Sequence, residues 1–326
     1  MIVTVTPNPS LDRTIELTAP LGRGEVQRAS GAHQEPGGKG VNISRVLFAS
    51  GVDTLALLPG DYDDAVLVAL RALGIPHRGL PLGSPLRSNI TITEPDGTTT
   101  KLNEPGPVMA KAQQRALLQL VTENSKDASW LVLAGSLPPG LPADFYTQLT
   151  VGVRSAFGAA APRIAIDSSG APLAAALAGP AGSLPDVVKP NAEELAELTG
   201  FPDPYLLETD PLLAAKAAQT LVDAGVGAVL ATLGSKGAVL VTNEGSWLAR
   251  SPKIVARSTV GAGDSALAGY LLSQAAGATG PQSLQQAVAH GAAAAALPGS
   301  TVPALSQTNP AAVSVTALSR CQGELT

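Results

Sequence analysis

A single cysteine, Cys321, in 326 residues can form no internal disulfide, and the three histidines, His33, His77 and His290, are scattered without the spacing of a metal site. Aromatic side chains make up 3% of the chain, which leaves little with which to stack a nucleobase. Charge is sparse too: Asp, Glu, Lys and Arg amount to 14% and the formal net charge is −5, so there is no basic footprint for nucleic acid. No apolar run approaches the ~18 residues of a membrane span, and the opening Met1-Ile-Val-Thr-Val-Thr-Pro has no basic leader. The expectation is a soluble, cytoplasmic protein with no nucleic-acid or membrane partner.

Glycine and proline, by contrast, number 34 and 27, and they punctuate apolar segments instead of forming a low-complexity tract. The chain is long enough for a large core, as one α/β unit or as two domains. Its organising stretch is Ser258-Thr-Val-Gly261-Ala-Gly263-Asp264-Ser-Ala-Leu-Ala-Gly269-Tyr-Leu-Leu272. It reads as a strand end, a glycine turn and an amphipathic helix with Leu267, Tyr270 and Leu271 on one face, closed by Gly277. Two glycines ahead of a helix let backbone N–H groups converge on one spot, an anion site strengthened by the helix dipole. A carboxylate inside that spot competes with a bound phosphate, which suits Asp264 to accepting a proton beside the charge of a phosphoryl transfer. Asp264 as a plain helix cap is the alternative. Gly261-Ala-Gly263-Asp-Ser-Ala266 also fits a dinucleotide fingerprint, but that pattern needs an acidic residue ~20 positions later, and none occurs between Asp264 and Glu324.

Earlier in the chain, Ile2 to Thr6 reads as a strand stopped by Pro7-Asn8-Pro9, and the loop after it carries Asp12, either a ligand group or a turn residue. Gly37-Gly38-Lys39-Gly-Val-Asn42 opens a helix from Val41 to Ser50. It is a second anion site and not a Walker loop, because Gly40 follows the lysine; a solvated lysine is the alternative. Thr54 to Leu58 reads as a strand and Asp63 to Leu73 as a helix. Arg87–Glu94 and Thr98–Asn103 then flank Pro95-Asp96-Gly97 as a hairpin whose Thr-rich strands suit a small exposed sheet. Polar Gly22 to Ser30 is expected to join it. Together they would make a lid that closes on the cleft and excludes water, or an ordinary surface ribbon.

From Met109 onward strand and helix alternate, the pattern of a doubly wound, mostly parallel sheet. Strands are expected at Trp130–Ala134, Arg163–Asp167, Val187–Lys189 and Ala228–Thr232. They are followed respectively by Gly135-Ser136, Ser168-Ser-Gly170, Pro190-Asn191 and Leu233-Gly234-Ser-Lys236-Gly237, the last a glycine turn suited to a nucleotide. Asn191 and Glu194, three apart on one helix face, could order a hydrated magnesium ion or serve as a helix cap beside a solvated glutamate. Gly237–Thr242 and Ser246–Arg250 form a hairpin, and the alanine-rich Ser283–Leu297 is a core helix. Gln307 to Thr326 carries no clear signal.

Taken together, these stretches resemble the pfkB family of carbohydrate kinases, collinearly from Thr4 to about Val302. Ser258-Thr-Val-Gly-Ala-Gly-Asp264-Ser is the specific signature, and Gly37-Gly-Lys-Gly-Val-Asn42 supports it independently. Thr6-Pro-Asn8-Pro-Ser-Leu-Asp12, Gly24-Glu-Val26, Lys101-Leu-Asn-Glu-Pro-Gly106, Gly135-Ser-Leu-Pro-Pro-Gly140 and Lys189-Pro-Asn191 look most like the branch holding 1-phosphofructokinase and tagatose-6-phosphate kinase.

The resemblance implies a ribokinase-like α/β fold, with residues 1–12, 35–85 and 105–326 as the core and 13–34 and 86–104 as a β lid. It implies transfer of phosphate from ATP, with Mg2+, to a small phosphorylated ketohexose. Fructose 1-phosphate is the first candidate; tagatose 6-phosphate, fructose 6-phosphate or a catalytically silent sugar-phosphate sensor are the alternatives. Asp264 would be the general base, and Gly261, Ala262 and Gly263 would hold the developing charge. Asp12, Gly37, Gly38 and Asn42 would orient the sugar, and Lys39, Arg87, Asn89, Lys101 and Ser136 would surround its phosphate. Lys189, Asn191, Thr232, Gly234, Lys236, Gly237, Ser258, Thr259 and Val260 would line the nucleotide site, and Glu194, with Asn191, would act on the metal through water. An apolar outer face on the lid would pair two chains as a homodimer.

Overall fold

The computed structural model describes residues 1–180 and 182–318; Cys321 lies outside them. Short, almost uniformly apolar segments such as Ile2–Val5 (β1) and Trp130–Ala134 (β8) lack the alternation of a half-exposed strand, as expected of parallel strands covered on both faces. Next to β1 lies β4 (Thr54–Pro59), edged by β5 (His77–Leu80). On the other side β8 leads to β9 (Arg163–Asp167), β10 (Val187–Val188) and β11 (Ala228–Thr232), all parallel. The antiparallel β12 (Ala238–Thr242), β13 (Gly245–Arg250) and β14 (Ser314–Leu318) complete a ten-stranded sheet. β14 takes its place from pairing with β13, which explains why its own half-polar residues carried no signal.

Successive side chains feed two cores. Val3, Val5, Leu131, Leu133, Ile164 and Ile166 pack under α3 (Lys111–Asn124), α4 (Phe145–Phe157), α5 (Gly170–Leu177), α6 (Ala192–Thr199), α7 (Pro204–Thr209) and α8 (Pro211–Asp223). Ile2, Trp130, Val132, Ala165 and Leu230 pack under α1 (Lys39–Ala49), α9 (Ala262–Ala275) and α10 (Gly280–Ala295). The shorter α2 (Ala65–Ala72) covers Ala56 and Leu58 of β4. The amphipathic face expected for α9 is not what forms: from Asp264 to Leu271 every residue is buried. Its alanines and Gly269 let α10 close over the side that a surface helix would show to water, and a Cβ at Gly269 would press on the Gln286 carbonyl and the His290 ring.

A second sheet stands apart, ordered β3 (Ala29–Gly37), β2 (Ser10–Leu17), β6 (Arg87–Thr93), β7 (Thr99–Asn103). The expected hairpin is β6–β7. Two expectations are corrected here. Asp12 lies on a strand, not in a loop, because β2 is built by parallel pairing with the distant β6, which local pattern cannot reveal. Residues 22–28 lie in the connection between β2 and β3, so the strands that join the hairpin are Ser10–Leu17 and Ala29–Gly37 instead. Register puts Asp12, Asn89 and Lys101 on one face, and Ile15, Ile90, Ile92 and Leu102 on the other.

Candidate active site

Chain order reverses at β1, whose neighbours β4 and β8 run on in opposite directions across the sheet. A crevice opens at such a point beyond the carboxyl ends of the strands, where α/β sheets bind ligands. Asn8, Ser136, Asp167, Lys189 and Thr232 all sit at or just past those ends, from β1, β8, β9, β10 and β11.

The glycine turn before α9 forms as expected: Gly261 is the N-cap with φ 73°, a left-handed conformation that suits glycine. The first helical turn has no intrahelical acceptors for its N–H groups, and Ala262 N–H donates instead over 3.3 Å to the Thr259 carbonyl. Asp264 is buried there, its Oδ2 accepting from Asn42 Nδ2 at 2.9 Å. Burial, and then the neighbouring charge of Asp167, push its carboxyl up to about 6, while Asn42, Lys39 and Lys189 pull the other way.

Asp167 carried no expected role, yet it is the most enclosed charge of the site, with its side chain wholly out of solvent. Lys39 Nζ lies 2.6 Å from its Oδ1 and Lys189 Nζ 3.1 Å from its Oδ2. Burial opposes its charge, but the two lysines outweigh that and hold it below the usual carboxylate range. Lys39 in turn is raised: burial disfavours its charge, and Asp167 and Glu194, 3.8 Å away, overcome it. Lys39 is therefore held by the carboxylates of the floor. A carboxylate with no access to water needs a counter-charge, and this lysine supplies half of it. The signal for Asp167 in sequence was an aspartate ending an apolar strand ahead of Ser-Ser-Gly.

On the lid side, Asp12 Oδ1 accepts from Ser10 Oγ at 2.7 Å and Asn89 Nδ2 at 3.0 Å, and burial raises its carboxyl despite those bonds. Gly37 pairs with Ser10 across the ladder, and Gly38 is the N-cap of α1. Arg87 Nε donates to the Asn8 carbonyl at 3.2 Å and Nη1 to the Glu104 carbonyl at 3.0 Å; burial lowers its pKa. Asn8, also missed in sequence, is almost fully buried and donates from Nδ2 to Ser136 Oγ at 3.2 Å and to the Pro105 carbonyl at 3.1 Å. Asn8, Arg87, Pro105 and Ser136 line a cavity of about 490 Å³ with Leu137 and Pro138. Asn8 Oδ1 and Asn89 Oδ1 are buried without a hydrogen-bond partner among the described residues. Lys101 shares the face of Asn89 but is exposed and makes no ion pair among the described residues.

On the other side, Asn191 and Thr232 form an isolated parallel bridge. Asn191 caps α6: its Oδ1 accepts from Glu194 N at 2.8 Å, and Glu194 Oε2 accepts from Asn191 N at 2.9 Å, a reciprocal box. The helix cap forms, but its glutamate is not solvated: the Glu194 side chain is buried and its other oxygen faces Lys39. Among the described residues no group of three or more His, Cys, Asp and Glu is placed to enclose a metal directly. Gly234 to Lys236 make a single tight turn ending at Gly237, with Lys236 exposed. Ser258 Oγ accepts from Val260 N at 3.2 Å, and Thr259 is exposed beside it. A Cβ at Gly263 would come within 3.2 Å of Lys189 Nζ, so glycine lets that lysine reach the helix start.

A ten-stranded sheet with a switch-point crevice, a buried carboxylate at a glycine-capped helix start and a separate four-stranded sheet make up a ribokinase-like fold. Residues 5–307 match the pfkB family carbohydrate kinases, and the chain belongs to that family. It is accordingly a phosphotransferase acting on an alcohol group. It is similar to the 1-phosphofructokinase of Xanthomonas campestris pv. campestris, 36% identical over 82% of this chain and 82% of that one. It is also similar to the 1-phosphofructokinase of Haloferax volcanii, 34% identical over 97% of this chain and 98% of the relative. Among solved structures, phosphofructokinase-2 from Escherichia coli in complex with fructose-6-phosphate superposes with a TM-score of 0.79 at 31% identity, covering 90% of this chain and 93% of that one. No helix among the described residues is long and apolar enough to cross a membrane.

Proposed function

We propose that this chain is a cytoplasmic, ATP-dependent kinase that phosphorylates the 6-hydroxyl of D-fructose 1-phosphate, giving fructose 1,6-bisphosphate and ADP. The observation that carries this reading is Asp264: a carboxylate enclosed at the first turn of α9, with its proton affinity raised to about 6. A base so poised is ionised at neutral pH yet basic enough to take a hydroxyl proton as the oxygen attacks. Gly261 and Gly263 give the turn its backbone donors toward the charge that gathers on the transferred group, and Ala262, whose N–H the Thr259 carbonyl holds, keeps the turn's shape. Asp12, Gly38 and Asn42 orient the sugar hydroxyls.

Arg87, with Ser136 and Asn89, takes the phosphate already on the sugar. Asn8 fixes Arg87 through its carbonyl and Ser136 through its amide. A dianionic acceptor approaching a polyphosphate needs cationic cover, and guanidinium matches phosphate with two parallel donors. Lys39, anchored by Asp167, supplies positive charge between the two substrates. Lys189, Asn191, Thr232, Gly234, Lys236, Gly237 and Ser258 to Val260 border the nucleotide. The donors present fit Mg2+ only through water, because Asn191 Oδ1 and Glu194 Oε2 already serve the helix cap. Glu194, with Asn191, would hold the hydrated ion, which when bound supplies neutralisation of phosphate charge.

Residues 13–34 and 86–104, with the strand ends that flank them, act in this reading as a lid over the remaining core. The lid's far face carries Ile15, Ile90, Ile92 and Leu102 with the exposed Arg13 among them, and is proposed to pair two chains; light scattering giving a monomer would overturn that part.

Fructose 1-phosphate is preferred because the 1-phosphofructokinases match along most of the chain. Fructose 6-phosphate or tagatose 6-phosphate is the second reading. A ketohexofuranose carries a CH₂O group on each side of the ring oxygen, so one clamp can hold either end, and the E. coli relative was solved with fructose-6-phosphate. A silent sensor would have no need of the enclosed base. The test is ADP release with MgATP against fructose 1-phosphate, fructose 6-phosphate, tagatose 6-phosphate and adenosine, compared as kcat/KM. Preference for fructose 1-phosphate is expected; preference for either 6-phosphate reverses the sugar in the site, and turnover of adenosine alone overturns the reading.

A further inference from the structure

A charge runs behind the base that the proposed mechanism does not use. Arg45, on α1 one turn beyond Asn42, is buried with its guanidinium spread over three acceptors. Nη1 donates to Asn42 Oδ1 at 3.4 Å and to the Pro36 carbonyl at 3.3 Å, and Nη2 donates to Glu35 Oε2 at 3.0 Å. The same Glu35 oxygen accepts from the Ser300 hydroxyl, in the segment that follows α10. A single line of contacts therefore joins Ser300, Glu35 of lid strand β3, Arg45 and Asn42 to Asp264.

An asparagine amide is nearly symmetric in shape, and its neighbours decide which end faces which way. A guanidinium has donors only, so it selects the oxygen of Asn42 and leaves the nitrogen for Asp264. Reversed, the amide would set oxygen against carboxylate and N–H against guanidinium, two repulsive contacts in a buried place. We propose that Arg45 is a positioning residue for the reaction: it locks the Asn42 amide in the orientation that donates to Asp264, and Glu35 makes that lock part of the lid. The proposal rests on Asp264 being the base.

The lock has a signature that a merely structural arginine would lack. The Asn42 bond favours the ionised carboxylate. Asp264 is otherwise faced by Asp167 from β9, Lys39 from α1 and Lys189 past β10, none of which contacts Arg45 in the bonds given above. Loss of the lock weakens one stabilising bond and leaves those three charges in place, so the base should titrate at higher pH.

The experiment measures kcat against pH from 5 to 9 with MgATP and saturating fructose 1-phosphate, for wild type, Arg45→Met, Arg45→Lys, Glu35→Gln and Asp264→Asn. The acidic limb of Arg45→Met should move up by on the order of one pH unit, lowering kcat about fivefold at pH 6 and scarcely at pH 8.5. Arg45→Lys should fall between this and wild type. Glu35→Gln, which keeps the arginine and is the milder change should Arg45→Met fail to fold, should shift the limb in the same direction, about twofold at pH 6. A wild-type acidic limb in Glu35→Gln and in whichever Arg45 variants fold, or a loss of kcat equal at every pH, overturns the lock. Turnover retained by Asp264→Asn would instead overturn the base itself, a distinguishable result.

Discussion

The floor of the cleft and its lid solve opposite problems with similar residues. On the floor, Asp167 and Asp264 are enclosed: two lysines flank Asp167, whose Oδ2 has the Lys189 ion pair but no hydrogen bond among the described residues, and Asn42 donates to Asp264. On the lid, Asp12 and Arg87 are bonded, but Asn89 Oδ1 and, beneath it, Asn8 Oδ1 have no partner among the described residues, and Lys101 reaches into solvent. Buried groups left unpaired are costly unless a ligand completes them. In the reading proposed above, the floor is organised for chemistry by its ion pairs, and the second sheet is a lid organised for recognition, its free amide oxygens completed by what it binds. Substitutions on the floor should fall on kcat or on stability; substitutions on the lid should fall on KM.

The sharpest way to break that contrast is Asp264→Asn. It keeps the shape and the Asn42 contact but removes the proton acceptor, so kcat should fall by ~10²–10⁴-fold with the sugar's KM changed little. In the wild type the sign of the pH effect follows from the raised carboxyl: kcat is lost as pH falls through about 6, where Asp264 takes up its proton. Near-normal turnover of the variant in a single-turnover assay would remove the base from the floor altogether.

Asp167→Asn tests the matching itself. Lys189, buried, would lose its counter-charge; Lys39, a third exposed, could turn to water and to Glu194. Breaking a buried pair costs about 3–5 kcal/mol, and the escape of Lys39 brings the expected loss to roughly 2–4 kcal/mol in urea unfolding. Because the charge of Asp167 helps raise Asp264, the acidic limb of activity in the folded variant should move to lower pH. An unchanged unfolding midpoint would mean that the pairing is incidental.

How far each region was legible in sequence follows from the same difference. The main sheet and its loops were readable because each strand and helix is a local pattern: Trp130–Ala134 is apolar throughout, and Gly261 and Gly263 announce a turn. The lid's hairpin was readable from Asp96-Gly97, but β2 was not, since Ser10–Leu17 becomes a strand only through β6, far along the chain. Asp167, Asn8 and Arg45 were missed for a related reason. An aspartate or asparagine at a strand end looks like a turn residue until the fold shows that it is buried, and Arg45 looks like an exposed helical arginine until Glu35 closes over it.

Arg87→Ala moves the test to the lid. Losing a charge-assisted contact of ~1.5–3 kcal/mol should raise KM for fructose 1-phosphate about 10–100-fold and leave kcat near wild type. Unphosphorylated fructose, tested in parallel, should respond little. An equal rise for both sugars would mean that Arg87 shapes the cleft through Asn8 and Glu104 and does not read the phosphate.

The smallest effect is expected at Lys101. It lies on the same face as Asn89, on the outer strand β7, where its charge is screened by water. Exposed charges contribute at most ~1 kcal/mol, so Lys101→Ala should change KM for fructose 1-phosphate by no more than about fivefold and leave ATP unaffected. A tenfold or larger rise would show that Lys101 is desolvated in the complex, which requires the lid to descend on the sugar. That outcome would sharpen the contrast: the floor would be finished before the substrate arrives, and the lid would finish itself around it. A change within fivefold would leave recognition to Arg87, Asn89 and Ser136, groups that Asn8 and Asp12 already hold at the cleft.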